Sequence, residues 1–208
     1  MTSDNIIFAG IDISTGRKQV TLAALDVGLN IIFFEKCGLS QLIIHLEQYK
    51  RALLTLNLLS SGRTASIKRG KSVEAALKKK IVHAGFKPYL QSNTPKQWIE
   101  TNPHECFRAL IGRPALPRRS LEGRIQRALI LYEQGLRIND PMDFFEEITR
   151  HHMLMGVLPN ESSYSASELD ALVAAYLAWS TINKPVQVDL LGEKKDGKTL
   201  VLTGIRTD

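Results

Sequence analysis

The chain has 208 residues, 44% of them hydrophobic and 23% charged, and carries 27 basic against 21 acidic side chains for a net charge of +6. That length suits one domain, or one domain with appendages, and the composition is globular rather than disordered. No run reaches the ~18 apolar residues of a membrane span, no basic region precedes an apolar N-terminal stretch, and two cysteines make no disulfide framework, so a cytoplasmic protein is expected.

The first strand is predicted at Ile6 to Ile13, where seven of eight residues are apolar or small. A run apolar on both faces marks a central strand covered on both sides. Asp12, near its end, is the exception. A buried carboxylate is costly unless it is paired, hydrogen-bonded or bound to a metal; alternatively Asp12 caps a turn with Ser14, Thr15 and Gly16. Strands at Val20–Leu25 and Ile31–Lys36 follow after short turns, predicting an antiparallel meander. Ser40 is the expected cap of a helix carrying Leu42, Ile43, Leu46 and Tyr49. Leu53 to Leu59 is then a second strand apolar on both faces, with Asn57 near its end. A strand, a helix and another buried strand imply a parallel pair joined by a right-handed crossover.

Between Gly62 and Lys80 stand Arg63, Lys68, Arg69, Lys71, Lys78, Lys79 and Lys80, opposed by Glu74 alone. This segment matches the whole charge imbalance and suits a polyanion such as nucleic acid; a solvated basic loop is the other reading. It lacks the aromatic residues that stack on bases. A helix is expected from Ser72 to His83, a short strand at Gln97–Glu100, and a helix from about His104, with Pro114 and Pro117 ending that section. Ser120 opens a helix whose predicted apolar face is Leu121, Ile125, Ala128, Leu129 and Tyr132, closed by Gly135. Asp140-Pro141 predicts another start, with the helix reaching His151 or His152.

Ser165 and Glu168 fit a capping box. The helix behind them, Leu169 to Trp179, is apolar all round, which predicts burial on several sides. Ala171, Ala174, Ala175 and Ala178 give it a smooth face able to approach a sheet closely. Asp170 is the one charge in that stretch, either a favourable acid near a helix N-terminus or a functional group. Val186 to Ile205 reads as a hairpin turning at Lys194–Lys198.

Ligand sites in parallel sheets gather at the carboxyl ends of strands. Asp12 and Asn57 belong there, Glu100 can join them at the end of the third strand, and Asp170 is the isolated acid of the buried helix. Converging carboxylates raise one another's pKa unless a cation neutralises them. Hard oxygen ligands without a histidine or cysteine cluster favour Mg²⁺ or Mn²⁺. Such a site suits phosphodiester hydrolysis with one or two ions. Glu105 and Glu168 are further candidates, each with a helix-start role to weigh against it. His104, His151 and His152 show no metal-ligand spacing.

Four segments carry a family likeness: Phe8-Ala-Gly-Ile-Asp12-Ile-Ser, Glu100-Thr-Asn-Pro103-His-Glu105, Ser120-Leu-Glu122-Gly-Arg124 with Arg127, and Glu168-Leu-Asp170-Ala-Leu-Val-Ala-Ala. In this order they resemble the domain-of-unknown-function family numbered 429, regarded as ribonuclease H-like nucleases. The last block also resembles the final catalytic helix of Holliday-junction resolvases. The resemblance implies a single ribonuclease H-like α/β domain over residues 1–208. Its mixed sheet would join a three-strand meander to parallel strands, with a helical insertion at about 104–160 and a hairpin at about 186–205. It implies Asp12, Glu100 and Asp170 as catalytic metal ligands. Where that family usually has aspartate, this chain has Asn57, which offers an amide oxygen but no charge.

The leading function is therefore a metal-dependent nuclease acting on DNA or RNA, with the segment from Arg63 to Lys80 on backbone phosphates. The alternative is a catalytically inactive ribonuclease H-like module that binds nucleic acid or protein, which Asn57 favours. A phosphotransferase of the sugar-kinase and actin type is third, since no second glycine-rich phosphate loop is present. A homodimer through the Trp179 region stays open.

Overall fold

A computed structural model describes residues 6–13, 19–57, 66–89, 94–156, 163–194 and 197–202, with side chains described except at 66–72 and 190–202. The strands are β1 (Ile6–Asp12), β2 (Gln19–Leu25), β3 (Ile31–Gly38), β4 (Arg51–Asn57), β5 (Lys87–Pro88), β6 (Lys96–Thr101), β7 (Val188–Lys194) and β8 (Gly197–Leu202). The helices are α1 (Leu39–Glu47), α2 (Ser66–His83), α3 (Pro103–Ile111), α4 (Leu121–Glu133), α5 (Asp143–Met155) and α6 (Ala166–Asn183).

The strands make one sheet in the order β3-β2-β1-β4-β6-β8-β7, with β5 added on β6. β1, β2 and β3 form the antiparallel meander, and β4 and β6 continue parallel to β1. The expected mixed α/β fold of ribonuclease H-like order is the one observed. The C-terminal hairpin does not stand apart: β8 pairs parallel with β6 and extends the same sheet.

Two apolar layers enclose the sheet, and alternate residues of β1 divide between them. Phe8 joins Leu53, Ile99, Phe107, Leu131 and the apolar residues of α6 on one face. Ile7, Ala9 and Ile11 join Leu42 and Leu46 of α1 and Leu77 and Ile81 of α2 on the other. Each of the leucine, isoleucine and phenylalanine side chains contributes about 1.5–3 kcal/mol by leaving water. The apolar pattern on both faces of β1 and β4 is thus explained by helices on both sides.

α6 lies against the middle of the sheet, buried from Leu169 to Ala178. Its capping box is formed as predicted, with the Ser165 hydroxyl accepting from the Glu168 amide and the Glu168 carboxylate accepting from the Ser165 amide. The approach to β1 is as close as backbones allow. A methyl group at Gly10 would stand 2.0 Å from the Ala171 carbonyl oxygen and 2.4 Å from the Ala175 nitrogen. Glycine at position 10 and the alanines of α6 are thus one fitted surface.

Several local expectations differ; α2 begins at Ser66 rather than Ser72, and α5 runs on to Met155 rather than His151 or His152. α1 starts directly from β3 with Gly38 at its N-cap, so Ser40 lies inside the helix and caps nothing. The buried stripe of α4 is Gly123, Arg127, Ala128 and Leu131 rather than Leu121, Ile125 and Tyr132, because the helix turns its small residue and its guanidinium inward. α5 begins at Asp143, since the Asp140 side chain accepts from the Met142 amide and holds a turn ahead of the helix. The sequence readings that lie outside the described residues are the Ser14-Thr15-Gly16 turn, the end of the second central strand at 58–59, Arg63, the hairpin tip at 195–196 and the hairpin's end at 203–205.

Because the obstruction at residue 10 is helix backbone, Gly10→Ala is expected to destabilise the chain by about 3 kcal/mol or more. Urea unfolding followed by circular dichroism measures this, and a change below about 0.5 kcal/mol would be inconsistent with so close a contact.

Candidate active site

Asp12 ends β1 on the face that looks toward α6, in step with Phe8 and Gly10. It is fully buried. Register places Thr21 beside it on β2 and Asn57 beside it on β4, and laterally paired residues share a face. Asn57 Nδ2 donates to Asp12 Oδ1 at 2.6 Å. The hydroxyls of Thr21 and of Thr55, which pairs with Gly10, are buried on this face without a hydrogen-bond partner among the described residues. Buried polar atoms of this kind are uncommon and mark a strained or functional place.

Asp170 comes from above, one residue before the Ala171 carbonyl that faces Gly10. The contact that seats α6 on β1 therefore carries this carboxylate to the end of β1. Burial pushes the Asp170 carboxyl up to about 6, and the nearby Asp12 charge adds to the rise, while Arg118 and Arg127 oppose it.

The cation between the two carboxylates belongs to the protein. Arg118 Nε donates to Asp170 Oδ2 at 2.7 Å, Nη2 pairs with the same oxygen at 2.6 Å, and Nη2 also stands 3.9 Å from Asp12 Oδ2. Arg118 sits in the α3–α4 loop, and α4 fixes that loop. Arg127 Nη1 donates to the Leu116 carbonyl and Gln126 Oε1 accepts from the Leu116 amide. The Ser120 amide and hydroxyl both donate to the Pro117 carbonyl. Arg127 is itself fully buried, with its guanidinium 5.3 Å from the Phe107 ring centre, and burial holds it below its ordinary pKa. At Gly123 a methyl group would meet the Pro117 oxygen at 1.9 Å. The Ser120-to-Arg127 motif is thus the anchor of the loop that delivers Arg118.

Glu100 does not join this cluster. It pairs in register with Leu56, which faces the α1–α2 layer, as does its near neighbour Trp98. Its carboxylate therefore points to the opposite side of the sheet, where Lys78 binds it at 2.7 Å and also reaches Glu74 at 3.2 Å. Burial alone would lower the Lys78 pKa, but these two partners hold it above its ordinary value. The expectation that Glu100 converges with Asp12 and Asp170 is corrected by strand alternation. Thr101 takes the α6 side at that level and contacts Cys106 Sγ at 3.3 Å.

The remaining candidates are placed as follows. Glu105 lies in the first turn of α3 and pairs with Arg108 at 2.6 Å. Glu168 serves the capping box and pairs with Lys36 at 3.2 Å. In the basic segment, Lys79 is exposed and Lys80 reaches Ser40 Oγ at 3.4 Å. Lys68, Arg69 and Lys71 lie on α2, and their side chains are outside the described residues. Trp179 stacks on Tyr176 and donates to the Val27 carbonyl.

Among the described residues no group of three or more acidic, histidine or cysteine side chains is placed to hold a metal. Asp12 and Asp170 with an amide oxygen from Asn57 do suit a single Mg²⁺ or Mn²⁺, which is often bound by one or two carboxylates and several waters. The two unpartnered threonine hydroxyls add to the polarity of that place. Among the described residues no third acid joins them for a second ion, since Glu100 faces the other way. Arg118 was not visible as a site residue in the sequence; its only signal is an arginine pair, Arg118-Arg119, just before a well-capped helix.

No protein-family model and no curated protein matches the chain. Solved structures do. A Thermus thermophilus RuvC structure aligns at 13% identity with a TM-score of 0.46, covering 86% of this chain and 96% of that one. T. thermophilus RuvC in complex with Holliday junction substrate aligns at 13% identity with a TM-score of 0.45, covering 85% and 94%. No described helix is long and apolar enough to cross a membrane.

An acid held above its ordinary pKa binds more protons folded than unfolded. Stability associated with Asp170 is thus complete below about pH 4 and is lost as pH rises through about 6. The displacement from 3.8 to about 6 amounts to roughly 3 kcal/mol. Asp170→Asn is expected to remove this slope, leaving a flatter stability profile between pH 4 and 6.5 in urea titrations. A variant with the parent's slope would show that another group titrates there.

Proposed function

We propose that the chain is a metal-dependent nuclease that hydrolyses phosphodiester bonds in nucleic acid, using one divalent ion at Asp12, Asp170 and Asn57. The observation that carries this reading is the convergence of two buried carboxylates, from β1 and α6, on a single point already occupied by positive charge. Burying two acids together is costly. Mg²⁺ or Mn²⁺, when bound, would polarise a phosphoryl oxygen and stabilise the charge that develops there.

The chain's own groups have separable parts in this reading. Asp12 and Asp170 hold the ion from two elements that cannot separate without opening the α6–β1 contact. Asn57 orients Asp12 through its 2.6 Å bond and offers its amide oxygen to the ion. The basic residues of α2 lie on an element that follows β4, the strand that ends at Asn57. Contacts from lysines to phosphates would position the polyanion without reading its sequence. The resemblance of the Asp12 and Asp170 segments to family 429 is in keeping with this assignment, with Glu100 as a stabilising partner of α2 rather than a metal ligand.

A second reading is a non-catalytic module that binds nucleic acid. It is favoured by Arg118, which already neutralises the carboxylate pair, and by the uncharged Asn57.

Labelled single- and double-stranded DNA and RNA, incubated with the protein in Mg²⁺ or Mn²⁺, separate the two. The nuclease predicts cleavage that Asp12→Asn and Asp170→Asn each reduce at least 100-fold, with Glu100→Gln far closer to the parent. Binding that weakens with salt, without cleavage, would favour the module. Neither binding nor cleavage would refute both.

A further inference from the structure

We propose that Arg118 is the resident counter-ion of the Asp12–Asp170 pair and competes directly with the divalent cation, so that metal loading requires its release. This rests on the reading of the pair as a metal site and adds how that site is controlled.

Three observations carry it. First, Arg118 brings Nε and Nη2 to one oxygen, Asp170 Oδ2, and has Nη2 3.9 Å from Asp12 Oδ2 as well. Both carboxylates thus face one positive centre, as they would face an ion. Second, the placement is built. The loop on both sides of Arg118 is fixed through Leu116 and Pro117 by Gln126, Arg127 and Ser120, and Gly123 leaves room for the Pro117 carbonyl. Fixing the backbone so firmly, with a buried arginine among the clamps, makes sense if the side chain at 118 must reach one place. Third, Arg118 is partly solvent-exposed while its partners are buried. Its side chain can swing outward by rotation about its own bonds, with the anchored loop unmoved.

Asp170 Oδ2 cannot serve both cations. It accepts from Nε and lies 2.6 Å from Nη2, and an ion in contact with that oxygen would stand within the guanidinium's own volume and repel its charge. Metal and Arg118 are therefore alternative occupants. A protein arranged this way keeps its buried acids neutralised when no metal is present, and it binds metal more weakly than the bare carboxylates would.

The test is Mn²⁺ titration of the full chain by calorimetry, for the parent, Arg118→Met, Arg118→Lys and Arg119→Met, with thermal melts to confirm folding. Loss of a charge-assisted contact that opposes the ion predicts tightening on the order of tenfold or more in Arg118→Met. Arg118→Lys, which keeps the charge without the fork, is expected to fall between it and the parent, and it decides the matter if Arg118→Met does not fold. Arg119→Met removes the same charge from an exposed neighbour. It is expected to leave the affinity within twofold; equal tightening there would show a general field effect and overturn direct competition. Equal Mn²⁺ affinities in the parent and both Arg118 variants would overturn the proposal and leave the metal site standing. No Mn²⁺ binding by any of them would overturn both. As an independent readout, the Arg118 Nε–H resonance of the parent is expected to move toward that of solvated arginine as Mg²⁺ is added, and an unmoved resonance at saturation would count against release.

Discussion

The seat of α6 on β1 is the contact from which the rest of the molecule follows. It has no slack: an added methyl at Gly10 would fall 2.0 Å from the Ala171 carbonyl. Close backbone approach gives up side-chain volume and requires small residues on both partners, and β1 and α6 supply them at one place. With no side chain between strand and helix, the position of α6 is set by backbone rather than by adaptable side chains. Asp170 precedes Ala171 and Asp12 follows Gly10 by two residues, so their proximity is a by-product of that fit. A looser packing, with larger residues at the interface, would leave the distance between the two acids to side-chain repacking.

Bringing two carboxylates together without water creates a debt of charge, and the α3–α4 loop settles it. Its placement depends in turn on α4, which hides a guanidinium where a leucine would be ordinary. Arg127 gives up hydration to donate to the Leu116 and Gly123 carbonyls and to lie over Phe107. Such a residue is a poor source of raw stability, because desolvating a charge costs several kcal/mol before any contact is made. Its use is geometric. It fixes where the chain passes, and Arg118 follows from that path.

How much of this could be read from the sequence depended on the range of each signal. The meander, the crossover and the buried last helix rest on local periodicity, and the capping box of Ser165 and Glu168 is a contact between residues three apart. These were legible. The side of the sheet on which Glu100 lies was not. A short strand such as Lys96–Thr101 leaves its facing to register, and a shift of one residue exchanges Glu100 for Thr101. Arg118 lay further out of reach, since nothing near it in sequence says that its partner is 52 residues away. The Ser120-to-Arg127 motif stood out in the chain, but its purpose is to hold a carbonyl of a neighbouring loop, and only the folded backbone shows that.

The two sides of the sheet now have different tasks. On the α1–α2 side, Glu100 is closed into an ion pair with Lys78 on a helix, and that pair ties α2 to the carboxyl end of β6. Both groups satisfy each other there, and the basic helix gains a fixed origin on the sheet. On the α6 side, Asp12 and Asp170 both face a partly exposed arginine, and the Thr21 and Thr55 hydroxyls on that face have no partner among the described residues. An acid fully matched by a lysine on a packed helix has little left to offer a ligand. Acids that face a partly exposed guanidinium at the solvent boundary keep that capacity, and this asymmetry is the strongest physical reason to look for chemistry at the end of β1 rather than at the end of β6.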